Sequence, residues 1–356
     1  FEETDIPCHV EHGFWDETYE RWRGEGLDPE VGMPDLFSIS DQTDLFKHFG
    51  VAKMGYIRPH IYFLPPFKSE VIEETPDYVI IRDGNGVTAK TNKRNASVPQ
   101  YLDFPVKSRR DYERVKERLQ PDIGKRYPDN WSEVARDLRE QDHALVCTHM
   151  DGFFAFPREI MGLENMLMGF YDDPALMRDI ISDRVDLYMT VYEKAIRDTQ
   201  PDFAFIWEDM CYKNGPLLSP AFFREFLLPA YKKLTGYLRD MGIDTVIVDS
   251  DGDVLKLIDL WLEGGVTGLL PFEVKAGMDV LELGREFPTL QIIGGIDKLE
   301  IAKGGSHIDE ELRRVIPAMV KRGGYCVSLD HWVPPDISLS DFEYYVSSVR
   351  EFSGKA

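Results

Sequence analysis

The chain has 356 residues, 43% of them hydrophobic, which is long and apolar enough to bury a full core. Its 63 acidic and 41 basic residues leave a formal net charge of −22, a field that repels phosphate backbones and anionic bilayers and argues against nucleic-acid or membrane-surface binding. No apolar run approaches the ~20 residues of a membrane span and no secretory leader is visible. The four cysteines, Cys8, Cys147, Cys211 and Cys326, are widely spaced without a CxxC, so free thiols and a cytoplasmic setting are expected.

Residues 1–70 read as a helical and irregular lead-in, in which Phe14, Trp15, Tyr19 and Trp22 recur at helical spacing. Such an aromatic face is expected to cap the core or form a lid. Between 70 and 106, short β-type runs flank Asp83-Gly84-Asn85-Gly86, a strong hairpin turn, so a small antiparallel insertion is expected. Two helical stretches follow, 110–119 and 131–140. Short apolar strands then alternate with amphipathic helices: strands at 144–147, 203–206, 244–248, 266–270, 290–293 and 325–328, with helices such as 174–199, 220–241 and 309–321. Strands that alternate with helices pair in parallel, because parallel neighbours need a crossover. Six such units, with one or two more upstream (56–64 is a candidate), approach eight. The expected architecture is α/β, a (β/α)8 TIM barrel, with an N-terminal helical extension and a small β-hairpin insertion. A doubly wound open sheet is the alternative, weakened by the absence of a Gly-x-Gly-x-x-Gly turn after any strand. The whole of 1–356 is expected to form one domain, 1–107 as the extension with the first strand and the insertion, 108–356 as the main repeats.

In a barrel, chemistry gathers at the C-terminal ends of the strands. Those positions carry His149-Met150-Asp151-Gly152, Trp207-Glu208-Asp209, Asp249-Ser250-Asp251-Gly252-Asp253, Glu273, Asp297 and Asp330-His331. Any one carboxylate here can be an N-cap for the next helix, as Asp253 or Asp297 taken singly could be. Six recurrences in one ring mean mutual repulsion, which a cation, a cationic substrate or protonation must offset. The ring could hold a metal through oxygen and imidazole, or supply an acid or base with a shifted pKa. His331, Glu208, Asp209 and His149 are the candidates for proton transfer. His12, Asp151, Asp297 and Asp330 are candidates for substrate contact. Phe153, in the Phe-rich loop 150–157, could wall a ligand or be ordinary core.

The stretches Leu217-Leu218-Ser219-Pro220, Glu273-Val274-Lys275-Ala276-Gly277-Met278-Asp279, Gly294-Gly295-Ile296-Asp297 and Asp330-His331-Trp332-Val333-Pro334-Pro335 resemble the uroporphyrinogen decarboxylase superfamily over roughly residues 110–352. That resemblance implies a TIM barrel and one of two activities. One is decarboxylation of uroporphyrinogen, which needs no cofactor. The other is zinc-assisted methyl transfer involving a corrinoid protein. The arginine-bearing Met-Arg-Gln-Ala-Gly-Arg motif of true decarboxylases is not found; the N-terminal region reads Glu11-His12-Gly13-Phe14-Trp15. Laid on the zinc-ligand pattern of the methyltransferases, Asp249, Asp251, Glu273 and His331 fall at the ligand positions. Hard carboxylates and an imidazole thus replace thiolates. The leading expectation is methyl transfer between a small donor, such as a methoxy compound, and a corrinoid carried by a partner protein, aided by a divalent metal, zinc first. The alternatives are a decarboxylase acting through a carboxylate and His331, and a non-catalytic tetrapyrrole- or corrinoid-binding protein.

Overall fold

The computed structural model describes residues 8–32, 43–93 and 99–353. Eight parallel strands run in chain order: β1 (Cys8–His9), β2 (Gly55–Ile57), β3 (Leu145–Asp151), β4 (Phe203–Trp207), β5 (Val246–Asp249), β6 (Gly268–Leu270), β7 (Gln291–Ile293) and β8 (Tyr325–Val327). Each pairs with its successor from β2 to β8, and β8 pairs back onto β1 through Cys8↔Cys326 and His9↔Val327. Ala52 N–H donates to His9 O at 2.8 Å, tying β1 to the segment that enters β2. The sheet is the expected (β/α)8 barrel.

The lead-in contributes both β1 and β2: the candidate run 56–64 overlaps β2, whereas β1, two residues long, carries no period that could reveal it. β3 is longer than expected, and a register irregularity between Cys147 and Met150 interrupts its pairing with β4. Asp151 consequently ends the strand instead of following it. The insertion is also larger than a hairpin: four antiparallel strands, Glu70–Glu74, Tyr78–Arg82, Thr88–Asn92 and Gln100–Asp103. Its turn works as the sequence implies. Asp83 Oδ1 accepts from Asn85 N and Val87 N, both at 2.9 Å, and Gly86 takes φ 81°.

The helices form where apolar periodicity and caps coincide. Pro174–Thr199 starts on Asp173, whose side chain accepts from Leu176 N, and buries Ile180, Tyr188, Val191 and Ala195 against the barrel. Ser219 caps the helical segment beginning at Pro220, which passes through a π-helical turn at Phe223–Leu227. The aromatic helix Asp16–Glu25 is a core cap: Trp22 is fully buried among Phe14, Phe49 and Phe342, and its indole N–H donates to Ile337 O at 2.9 Å. Trp15 departs from that face. Gly13 O accepts from Val333 N and Trp15 N donates to Val333 O, which docks 13–15 on the segment after β8. His12 and Trp15 thereby reach the barrel mouth.

Candidate active site

Two imidazole–carboxylate pairs lie side by side at the mouth. His331 Nε2 is 3.2 Å from Asp251 Oδ2, and His12 Nε2 is 3.6 Å from Asp249 Oδ2. The two imidazoles stack with centroids 5.8 Å apart, and Trp15 stacks on the outer face of His331 at 6.3 Å. β5 supplies Asp249 as its last residue, and Ser250 N donates to Leu270 O as the chain turns across β6. Gly252 fits tightly there, since a Cβ would come within 2.6 Å of Tyr212 backbone.

Burial separates the two carboxyls. It pushes Asp249 well above the usual carboxylate range, helped by the charges of Asp251 and Asp209. Burial also acts upward on Asp251, but the His331 hydrogen bond and the charges of His331, His12 and Lys298 outweigh it, and the net shift is downward. His12 is driven down to about 4, first by burial and then by the neighbouring His331. The site thus sets Asp249, whose protonated form burial favours, against a neutral His12, beside Asp251, whose ionised form is favoured. Environments that push paired groups apart in this way assign acid and base roles.

The other expected residues sort differently. Glu208 is fully buried and saturated: Oε1 accepts from Phe153 N (2.9 Å) and the Tyr231 hydroxyl (2.5 Å), and Oε2 from Phe154 N and Ala155 N, each at 2.9 Å. Burial raises this carboxyl while the four donors pull the other way. With every lone pair engaged, Glu208 holds the β3–helix turn together, which corrects its reading as a proton donor. Of the two readings open for Phe153, the core one fits its burial, with the ring edge-on to Tyr231 at 4.9 Å. Asp209 keeps φ 46° and pairs with Arg158 at 3.1 Å. A non-glycine residue in the left-handed region is a strain that functional sites retain.

Asp151 is spoken for by Arg184 (2.8 Å) and the Tyr62 hydroxyl (3.1 Å), in a buried pair. Asp330 accepts from Val274 N (3.0 Å) and Lys298 N (3.3 Å) and lies 3.2 Å from Lys298 Nζ, so it pins the β6 and β7 loops. Asp297 caps the turn Lys298–Ile301 by accepting from Leu299 N. Asp151, Asp330 and Asp297 thus each take part in building the mouth. The side chain of His149 lies outside the described residues. His12 is a candidate from the sequence and Trp15 is not, since its spacing fits the helix face; the pairing with Val333 brings both residues to His331.

The metal expectation meets a mixed result. Oxygen and imidazole donors are right for a divalent cation. Glu273, however, accepts from Gly252 N at 3.0 Å and lies 3.9 Å from Lys298 Nζ, a charge that opposes a cation there. Among the described residues, no three of His, Cys, Asp and Glu are grouped so as to hold an ion. The donor chemistry matches a metal and the convergence of the donors does not. No helix among the described residues is long and apolar enough to cross a membrane.

Comparison with known proteins agrees with the motif resemblance. A solved methyltransferase from Methanosarcina mazei shares the fold, with TM-score 0.60 at 13% identity over 99% of this chain and 95% of that one. The uroporphyrinogen decarboxylase of Syntrophotalea carbinolica is 24% identical over 211 residues, 59% of this chain and 57% of that protein. The chain thus aligns with little more than half of that relative. The family model described as Uroporphyrinogen decarboxylase (URO-D) matches residues 78–352. With most of its length under that model, the chain belongs to the uroporphyrinogen decarboxylase family.

Proposed function

We propose that the protein transfers a methyl group from a small oxygen-linked donor to a corrinoid carried by a partner protein. The observation that carries this reading is the pair of separated carboxyls, Asp249 and Asp251, set against His12 and His331. Removing a methyl from an ether oxygen leaves an alkoxide-like atom that must gain a proton as the bond breaks. Asp249, whose protonated form is favoured by burial and by the charges of Asp251 and Asp209, is the group assigned to give that proton. Asp251, whose ionised form the His331 hydrogen bond favours, adds to the field that raises Asp249. Trp15 and Trp332, centroids 5.0 Å apart, cover the imidazoles on one side and limit water there. The corrinoid would supply the nucleophile that accepts the methyl group.

Decarboxylation of a tetrapyrrole bearing eight carboxylates fits less well, although the relative from Syntrophotalea bears that name. Of the cations around the mouth, Lys298, Arg158 and Arg184 each lie against a carboxylate of the protein, and Arg58, which follows β2, sits over the Tyr56 ring. A polyanion would meet the more exposed Asp251 and Asp209 first. The test is to incubate the purified protein separately with a methoxy donor plus cob(I)alamin and with uroporphyrinogen, and to assay its metal content. Methylcobalamin formation supports the reading. Coproporphyrinogen formation without methyl transfer overturns it. A stoichiometric metal whose removal abolishes methyl transfer would move the activating role from Asp249 to a cation.

A further inference from the structure

The seam at which the barrel closes carries two cysteines in register. β1 meets β8 through the pairs Cys8↔Cys326 and His9↔Val327. Register partners on neighbouring strands stand about 4.7–4.9 Å apart with their side chains on the same face. That lies inside the roughly 4.4–6.8 Å between Cα atoms that a disulfide spans. The two side chains also touch, since the Cys326 thiol donates a hydrogen bond to the Cys8 sulfur. Both are free thiols, Cys8 exposed and Cys326 half-buried. The other two cysteines sit differently: Cys147 is in register with Ile57 and Ala204, Cys211 with Pro216, and both are buried.

We infer that Cys8 and Cys326 form a modification site, a dithiol that a small disulfide oxidant such as oxidised glutathione converts into a reversible bond across the barrel seam. Exposure brings the oxidant to Cys8 first. The hydrogen bond from Cys326 lowers the Cys8 thiol, and the same bond raises the Cys326 thiol, so Cys8 is the better attacking sulfur. Its thiolate attacks the oxidant, a mixed disulfide forms, and one oxidant thiol leaves. Cys326 then gives up its proton and attacks the Cys8 sulfur, and the second oxidant thiol leaves as the protein S–S bond forms. The two protein thiols lose two protons and two electrons, and the oxidant gains them as it becomes two thiols.

The same seam carries both imidazoles of the mouth, because His12 follows β1 and His331 follows β8. Backbone hydrogen bonds tie the segment after Cys8 to the barrel: Val10 N donates to Val327 O, Trp15 N to Val333 O, and Val333 N to Gly13 O. Such a short strand opens locally more easily than the core does. A bond at Cys8–Cys326 anchors its beginning covalently, so the segment that bears His12 and Trp15 opens less often in the oxidised protein. The inference does not rest on which reaction the mouth performs.

The test starts from the full chain, reduced, freed of reductant and incubated with oxidised glutathione. Remaining thiols are alkylated in denaturant and the peptides are mapped by mass spectrometry. The expected product is a Cys8–Cys326 bond within one chain, with Cys147 and Cys211 recovered as alkylated thiols. Dithiothreitol should return all four cysteines to the alkylated pool. The oxidised form should melt about 2 °C or more above the reduced form, and its Val10 and Trp15 amides should exchange with solvent more slowly. Cys8→Ser and Cys326→Ser should each abolish both responses. The site is overturned if Cys8 and Cys326 are still alkylated after oxidation, if they carry only glutathione, if they pair between chains, or if either joins Cys147 or Cys211. A bond that forms and changes neither melting nor exchange overturns the anchoring of the segment. Should a serine variant fail to fold, peptide mapping and exchange on the unaltered protein decide alone.

Discussion

The β3–β4 side of the mouth and the β5–β8 side both carry buried carboxylates at strand ends, yet they do opposite things. Glu208 and Asp151 are satisfied by backbone N–H groups, hydroxyls and Arg184. Asp249 and Asp251 each face an imidazole at 3.6 and 3.2 Å. A carboxylate whose lone pairs are all engaged in low dielectric holds the chain in place. One set against a titratable ring keeps a proton to exchange. Position on the barrel does not separate the two roles; the number of donors around each oxygen does.

That contrast breaks most sharply at Asp249. Asp249→Asn should lower methyl transfer by about 10²-fold or more, in the range of lost general-acid catalysis, while the melting transition stays close to the parent's. Turnover and thermal melting on the same sample check it; a large loss of stability with little loss of rate would move Asp249 to the structural group.

On the opposite side, Gly152→Ala should act through folding. The added Cβ would lie 1.9 Å from the Glu208 carboxyl carbon. It must displace a buried anion from its donors, and about 3–5 kcal/mol of stability should go with it, read by denaturant unfolding. Glu208→Ala should cost a similar amount by leaving three backbone N–H groups and a tyrosine hydroxyl unpaired. An unchanged unfolding midpoint in both variants would erase the distinction between the two sides.

His12 connects the two properties through pH. Its pKa falls from 6.5 in the unfolded chain to about 4 in the folded protein, chiefly through burial. The neutral ring therefore contributes its full stability above pH 6.5, and that contribution declines as pH falls toward 4. The decline is worth about 3 kcal/mol, because each tenfold loss of proton affinity corresponds to about 1.4 kcal/mol. Comparing unfolding free energies of the parent and His12→Phe across that window should show the variant with the shallower slope. The smallest effect is expected at Asp297, where Asp297→Ala removes a helix cap and should cost about 1 kcal/mol with kcat unchanged.

Much of the framework is readable from the chain. Alternation of short apolar strands with amphipathic helices dictates parallel pairing, and the helix 174–199 is expected and observed with the same limits. The Asp83–Gly86 turn, the Ser219 cap and the capping role open to Asp297 follow from local chemistry, because each involves groups only a few residues apart. What local chemistry could not show is any contact made across the barrel. β1 is two residues long and exists because Cys8 and His9 find β8 more than 300 positions later. His12 reaches Asp249 only because Gly13–Trp15 docks on Val333. Glu208 and Asp249 look alike in sequence, each a carboxylate at the end of an apolar strand. Tertiary structure alone brought four donors to one and a single imidazole to the other, and in a low-dielectric interior that difference decides which is locked into the fold and which is left beside a titratable ring.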